Sequence, residues 1–239
     1  MPPAHGRVVQ PFGSLFSSVI DATNYATSSE RRKLSSDHSE KIEADVALAG
    51  RLADEALDLL ASALRHGPSH LVKEYFKITT NEQEDKDDIK RLLSNFGKIK
   101  EYFSRSIYYN RFWNPLTYWD SYRKSYPMFN LETTGKKGAI ASTVPDDGYG
   151  KVQNLLGGNT ITLYPKHYEM DDADRAATLV HEASHMLLST EDHAYMRQRN
   201  RESGELEITE KWRKLEREKA LTNADSYGQF ALAAYMAEV

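Results

Sequence analysis

Cysteine is absent from the sequence, and its absence excludes several kinds of chemistry. A chain without cysteine forms no disulfide, has no thiolate nucleophile and offers no cysteine ligand to zinc. Such a chain fits a reducing compartment, or a protein that must cross between compartments. Any metal site in this protein must therefore use other ligands.

Long apolar runs and an excess of basic residues are also missing. Residues 230–237 form one of the longest apolar runs, and a bilayer span needs roughly 20 apolar residues, so we expect no membrane partner. The net charge of -4 does not suggest a nucleic-acid partner. The N-terminus lacks the apolar segment and small-residue cleavage site of a secretory signal. At 239 residues, the chain is long enough for one sizeable domain with its own core.

Residues 1–40 differ in composition from the rest of the chain. They contain eight serines and little apolar periodicity, which predicts a flexible polar leader followed by one domain at 41–239. An ordinary frayed terminus would explain the leader. A delivery segment for a secretion system that needs no cleaved signal is the alternative.

Apolar spacing predicts a mainly helical α+β domain. The predicted helices lie at residues 39–65, at 69–76, from the acidic run at 81–88 to residue 103, around the motif described below, at 206–215, and from Asn223 onward. Short strands are predicted at residues 139–144 and 161–165. The second of these strands directly precedes the motif helix, where an edge strand could hold an extended peptide by backbone pairing.

The central motif is His-Glu-x-x-His within a predicted helix. His181 and His185 are four residues apart, so both imidazoles lie on one helix face and can point at one ion. Glu182 sits beside that face and can reach a metal-bound water as general base. Zinc suits this arrangement, because a catalytic zinc keeps three protein ligands and one open position. A charged surface helix is the simpler interpretation, but a buried helix needs a reason for burying these side chains.

Three residues compete to be the third ligand. Asp192 would lie roughly 10 Å beyond His185 along a straight helix, so the helix must end near residues 188–190 for it to fold back. Glu205 has the spacing of the thermolysin-like group, in which a second helix supplies a glutamate. His193 would add a third imidazole. From the residues alone, the choice stays open.

Three motifs in order resemble the aspzincins, the deuterolysin and peptidyl-Lys metalloendopeptidase family. Residues 178–185 read Thr-Leu-Val-His-Glu-Ala-Ser-His, residues 189–195 read Ser-Thr-Glu-Asp-His-Ala-Tyr, and residues 223–230 read Asn-Ala-Asp-Ser-Tyr-Gly-Gln-Phe. The strand sequence at residues 159–164 is also similar to that family. The resemblance covers residues from about 139 to 230 and implies a zincin-like fold with a small sheet beside the zinc-binding helix.

The resemblance also implies a role for each site residue. His181, His185 and Asp192 would bind one Zn²⁺, and Glu182 would act as the general base. Tyr195 would hydrogen-bond the oxyanion of the tetrahedral intermediate. The sequence departs from the family pattern at residues 189 and 196, where serine and methionine replace glycine, and in a shorter loop before Asp192.

Lysine-directed members of the family receive a basic side chain between two acidic residues. Asp225 matches the first of these positions, whereas Gly228 stands at the second. The resemblance therefore implies Asp225 as a substrate-binding residue and leaves a preference for lysine as a hypothesis.

These features predict a zinc-dependent endopeptidase that acts on protein or peptide substrates. We expect it to be secreted, or delivered into a target cell as an effector or toxin. Its rivals are a thermolysin-like peptidase that uses Glu205, and a degenerate peptidase that binds peptides without cutting them. The aromatic and basic segment at residues 102–129 raises nucleic-acid binding as a third rival, but a core layer or cleft wall is the simpler interpretation.

Overall fold

The computed structural model of the chain describes most of its helical part. It covers residues 29–104, 108–109, 128–131, 141–142, 160–163, 165–199 and 206–237. The start of the predicted leader, most of the aromatic segment at 102–129 and Glu205 lie outside the described residues. The predictions made for those parts stay predictions.

Helices dominate the described part of the chain. They are α1 (Ser29–His66), α2 (His70–Phe76), α3 (Gln83–Phe103), α4 (Asp172–Leu188), α5 (Glu210–Arg213), α6 (Arg217–Leu221) and α7 (Ala224–Ala237). A 3-10 helix, Pro165–Glu169, precedes α4. The prediction of a mainly helical protein is confirmed. Among the described residues, none of these helices has the length and apolar character to cross a membrane.

Helix α1 begins earlier than the apolar pattern indicates. The pattern predicts a start near residue 39, but the helix begins at Ser29, so the predicted domain boundary at residue 40 falls inside it. Residues 30–34 read Glu-Arg-Arg-Lys-Leu and are good helix formers. Because they are mostly polar, they extend the helix without adding to the apolar period on which the prediction depended.

Short strands form two groups. Strands β1 (Tyr108–Tyr109), β2 (Met128–Leu131), β3 (Ala141–Ser142) and β4 (Thr160–Leu163) pair in the order β1-β2-β4-β3, whereas β5 (Arg197–Arg199) and β6 (Leu206–Ile208) form a separate antiparallel ribbon. Strand β4, which precedes α4, is parallel to β2 and antiparallel to β3. Because β4 is paired on both sides, it is not the edge strand that we expected for peptide binding. Within the described sheet the edge strands are β1 and β3.

The helix predicted at residues 206–215 is wrong in its first part. Leu206–Ile208 is strand β6, and only Glu210–Arg213 is helical. Leu206 and Ile208 are both exposed, and their spacing of two fits a strand as well as a helix. Thr209 marks the boundary between strand β6 and helix α5. Its side chain accepts a hydrogen bond from the Trp212 amide and so caps the short helix.

The core lies where α1, α3, α4 and α7 pack together. An aromatic cluster at its centre joins Phe76 and Phe96 to Tyr227 and Phe230 of α7, with ring centroids 5.0 Å apart for the closest pair. The buried Tyr227 hydroxyl accepts a hydrogen bond from Asn95 and donates one to the Leu221 carbonyl. The helix that follows the predicted site is therefore anchored deep in the core.

A buried ionic cluster fixes the first turn of α4. Asp45 on α1 accepts hydrogen bonds from Arg175 Nε with both carboxylate oxygens, at 3.0 and 2.9 Å. The other guanidinium nitrogens of Arg175 donate to the Met170 carbonyl and to Asp172. His167 Nε2 lies 3.3 Å from the same Asp45 carboxylate. Because Arg175 of α4 is bound in this way to Asp45 of α1, the N-terminal end of α4 is held against α1.

Helix α7 approaches α4 most closely at Gly228. A Cβ atom at that position would lie 2.8 Å from the Ala177 carbonyl oxygen and 3.2 Å from His181 Cβ. Both neighbours belong to α4, and the closer one is backbone that cannot rotate away. Glycine therefore sets the distance between the two helices at the level of the histidine motif.

We expect Gly228→Ala to lower the free energy of unfolding by about 1–3 kcal/mol, because the added methyl group must push α7 away from α4. The matched control is Gly97→Ala on α3, where a Cβ meets no atom within 4 Å. There alanine should stabilise the helix by about 0.5–1 kcal/mol. Urea unfolding of both variants measures the difference. Equal effects at the two positions would contradict the proposed close contact.

Candidate metal centre

Helix α4 presents the three residues of the His-Glu-x-x-His motif at the edge of the core. The side chains of His181 and His185 are 13% and 17% exposed, and Glu182 is buried. Ala176, Ala177 and Val180 of the same helix are buried in the core. The two imidazoles, in contrast, keep part of their surface accessible.

Asp192 completes a triangle of ligand atoms with the two histidines. The Nε2 atoms of His181 and His185 are 3.1 Å apart. Asp192 Oδ1 lies 3.3 Å from each of them. Within the described residues, this trio is the group of histidine and carboxylate side chains whose arrangement could hold a metal ion.

The dimensions of this triangle fit zinc. Ligands at about 2.0–2.1 Å from a tetrahedral zinc are about 3.3 Å from one another, which matches the observed sides. His185 Nδ1 lies 2.7 Å from the Thr190 carbonyl oxygen, which can only accept, so Nδ1 carries the proton. The other ring nitrogen of His185 is then free of hydrogen and faces Asp192. This is the tautomer that a metal ligand needs.

The end of α4 brings Asp192 back toward the histidines. The helix stops at Leu188, and Ser189 has a left-handed backbone with φ 55° and ψ 40°. The Ser189 amide donates to the His185 carbonyl and closes the last turn. The predicted break at residues 188–190 is confirmed, and the chain reverses direction within three residues instead of continuing away from the site.

The structure separates His193, another candidate ligand, from this triangle. His193 Nε2 lies 3.1 Å from the Thr222 hydroxyl, and its Nδ1 lies 3.7 Å from Glu191. Its imidazole is therefore engaged away from the triangle, as far as the described residues show. Glu205 lies outside the described residues, so its candidacy stays a prediction.

Tyr195 lies directly against the triangle. Its ring stacks on His181 with centroids 6.0 Å apart and an angle of 15° between the planes. Its hydroxyl donates a 2.7 Å hydrogen bond to Asp192 Oδ2, the oxygen that does not face the histidines. About half of the side chain is exposed, so this phenol stands at the accessible rim of the centre.

The charges of the centre stabilise one another. Burial by itself would raise the pKa of Asp192, but the facing imidazoles of His181 and His185 and the Tyr195 hydroxyl hold that pKa well below its usual range. Burial would lower the pKa of His185, but the facing Asp192 carboxylate and the Thr190 carbonyl raise it. The carboxylate therefore stays ionised at neutral pH, as metal binding requires.

A comparison with protein families agrees with this geometry. The family described as lysine-specific metallo-endopeptidase, the aspzincins, matches residues 61–232. This chain belongs to the aspzincin family. The match spans the histidine motif, the loop with Asp192 and Tyr195, and most of α7. Aspzincins are zinc-dependent metalloendopeptidases, so the family and the ligand triangle point to the same metal. No curated protein matches the chain.

Within this aspzincin, Asp225 lies on the Nδ1 side of the His181 ring, whereas the Nε2 side faces the triangle. Its Oδ2 accepts a 2.5 Å hydrogen bond from the Met196 amide, and its Oδ1 is 3.9 Å from His181 Nδ1. Burial raises the pKa of Asp225 despite the Met196 hydrogen bond and the nearby His181. Gly228, at the position of the second acidic residue of lysine-directed members, has no room for a side chain.

Asn223 was missed as a site residue by the sequence analysis, although it opens the third motif. It is fully buried, and its side chain binds both the amide and the carbonyl of Ala194. No spacing rule reveals such a contact, because the two residues are 29 positions apart. The residue type is the one feature of the sequence that could have indicated this contact. An Asn side chain can donate to a backbone carbonyl and accept from a backbone amide at the same time.

We expect Ser189→Gly to stabilise the zinc-free protein by up to about 1 kcal/mol. A left-handed backbone costs a residue with a Cβ about 1–2 kcal/mol, and glycine offsets part of this gain by its greater freedom when unfolded. Thermal unfolding should show a midpoint higher by a few degrees, about 2–4 °C per kcal/mol for this size. Zinc affinity should not change, and a weaker affinity would mean that the serine side chain itself supports the site.

Proposed function

We propose that this protein is a zinc-dependent endopeptidase that hydrolyses internal peptide bonds of protein substrates. The observation that carries the proposal is the triangle of His181, His185 and Asp192, with 3.1–3.3 Å between ligand atoms. Its dimensions suit tetrahedral zinc. Membership of the aspzincin family supports the same activity.

The proposed roles follow from the chemistry of each side chain. Zinc held by the triangle would polarise the scissile carbonyl and lower the pKa of a water molecule. Glu182 follows His181 directly in the chain and is buried beside it, and its charge contributes to raising the pKa of His185. A carboxylate in that place can take the proton of the attacking water and return it to the leaving amine.

Tyr195 supplies the hydrogen-bond donor for the transition state in this proposal. Hydrogen bonding to Asp192 and burial raise the pKa of the Tyr195 phenol, so it keeps its proton at neutral pH. A protonated phenol at the rim of the centre can donate to the oxyanion as negative charge develops on the substrate carbonyl oxygen.

A preference for lysine is the finer part of the proposal. The family description supports it, and Asp225 is the acidic residue available to receive an ammonium group. Two observations oppose a lysine preference. Asp225 already binds the Met196 amide, and its side chain is only 13% exposed. Gly228 adds no second carboxylate. We therefore expect only a weak preference for lysine, and we expect it to depend on Asp225.

The two rivals from the sequence make different demands. A thermolysin-like site would need Glu205 as the third ligand, although Asp192 already completes the triangle. A peptide-binding module without catalysis would have no physical need for the base, yet Glu182 is retained and buried in the motif. The catalytic assignment gives a role to both Asp192, as the third zinc ligand, and Glu182, as the base.

We expect Asp192→Ala to weaken zinc binding by at least about a hundredfold, because it removes one of three protein ligands. His193→Ala is the matched control, since that neighbouring histidine lies outside the triangle and should keep near-normal zinc affinity. Chelator competition measures both. If Glu205→Ala loses zinc while Asp192→Ala retains it, the thermolysin-like rival is correct.

Digestion of an unfolded protein substrate by the wild type and by Glu182→Gln tests the activity itself. Removing the base should lower the rate about 10²–10⁴-fold while one zinc per chain remains bound. Mass spectrometry of the new termini then reports the specificity, and Asp225→Asn shows whether that carboxylate sets it. Equal cleavage by wild type and Glu182→Gln would refute the assigned mechanism.

A further inference from the structure

The loop that carries Asp192 and Tyr195 is bound along its length to the segment that opens α7. The Glu191 amide donates to the Thr222 carbonyl, and the Ala224 amide donates to the Glu191 carbonyl. These two bonds form an isolated parallel bridge between Glu191 and Asn223. The residue just before the third ligand is therefore held by backbone contacts alone, which any side chain at residue 191 would allow.

The next attachment depends on a side chain. Asn223 Oδ1 accepts from the Ala194 amide at 3.0 Å, and Asn223 Nδ2 donates to the Ala194 carbonyl at 2.9 Å. A third bond runs from Nδ2 to the Ser226 hydroxyl at 3.1 Å, within the segment that opens α7. Ala194 and Asn223 are both buried, so these hydrogen bonds are shielded from water.

Attached residues lie on both sides of each functional residue along this loop. Residues 191, 193, 194 and 196 bind the segment at 222–225, residue 193 through the Thr222 hydroxyl and residue 196 through Asp225. Asp192 and Tyr195, which lie between them, face His181 and His185 instead. Asn223 holds the residue midway between Asp192 and Met196, next to Tyr195. Losing that bond would free the stretch of loop that places both groups.

We propose that Asn223 is a positioning residue that sets the distance of Asp192 and Tyr195 from the two histidines. It acts through the Ala194 backbone and does not itself touch the metal or the substrate. This inference rests on the proposed function, because it takes Asp192 as the third zinc ligand. It adds that the zinc affinity of this site depends on an amide side chain 31 residues beyond the third ligand in the chain.

An amide is needed at this position because the Ala194 backbone offers one donor and one acceptor. Aspartate has the same shape, but its two oxygens would accept from the Ala194 amide and repel the Ala194 carbonyl. An apolar residue would leave both buried backbone groups without these partners. Asn223→Asp is therefore an informative variant: its added negative charge should attract zinc, whereas loss of the donor should weaken zinc binding.

The test is a double-mutant cycle on zinc affinity, measured by chelator competition. Asn223→Ala and Asn223→Asp should each weaken zinc binding about 10- to 100-fold in the wild-type background. In an Asp192→Ala background, Asn223→Ala should alter affinity by no more than about twofold, because the ligand that Asn223 positions is gone. Ser226→Ala is the control, since it removes the bond of Asn223 that does not reach the loop.

The outcomes separate this inference from the proposed function. Equal weakening in both backgrounds would mean that Asn223 supports the protein generally, and unchanged affinity in a folded variant would mean that it does not position the loop. Either result overturns the inference. If Asp192→Ala alone leaves zinc affinity intact, the ligand assignment fails as well. If the Asn223 variants do not fold, amide exchange in the zinc-free wild type decides: a slowly exchanging Ala194 amide supports the inference, and fast exchange overturns it.

Discussion

The metal centre depends on how closely the start of α7 can approach α4. Gly228 lets the backbones of the two helices meet at Ala177 and His181. That contact puts the segment at 222–225 within hydrogen-bonding reach of the loop that follows α4. The loop then returns Asp192 to the face that carries the histidines. If a methyl group at residue 228 pushed α7 away from α4, Asp192 would move as well as the core. The reason is that residues 222–225, which open α7, also bind the loop that carries Asp192.

Helix α4 carries charged groups at both ends, and different partners stabilise them. At its N-terminal end, the buried guanidinium of Arg175 binds Asp45, Asp172 and a carbonyl, and these partners offset part of the cost of burying its charge. At the other end, the two imidazoles face a carboxylate whose pKa they hold low. The first group fixes where the helix lies, and the second forms the candidate metal centre. Because the ionic cluster joins Arg175 of α4 to Asp45 of α1, the long first helix supports the site without contributing a residue to the triangle.

The helices and the ligands were predictable for different reasons. Apolar periodicity located α2, α3 and α4, because burial of one helix face imposes that period. The motif placed His181 and His185 correctly, since residues four apart share a face whatever the surrounding fold. The first ten residues of α1 and strand β6 were not predicted, because the former are mostly polar in sequence and Leu206 and Ile208 of the latter are both exposed. The contact of Asn223 was not predictable, because its partner is the backbone of Ala194, and every residue has the same backbone atoms whatever its type.

Tyr195 can serve only one acceptor at a time. In the structure its single hydroxyl proton is donated to Asp192 Oδ2, and the ring lies over His181. An oxyanion on a bound substrate would need the same proton, so catalysis by this phenol requires the bond to Asp192 to break. Hydrogen bonds to a carboxylate contribute about 1.5–3 kcal/mol, and an oxyanion offers a comparable bond only once charge has developed. In the proposed role of Tyr195, Asp192 therefore keeps the proton before the reaction, and the substrate can compete for it only at the transition state. A donor with that preference lowers the barrier without stabilising the bound substrate, which is the condition for catalysis.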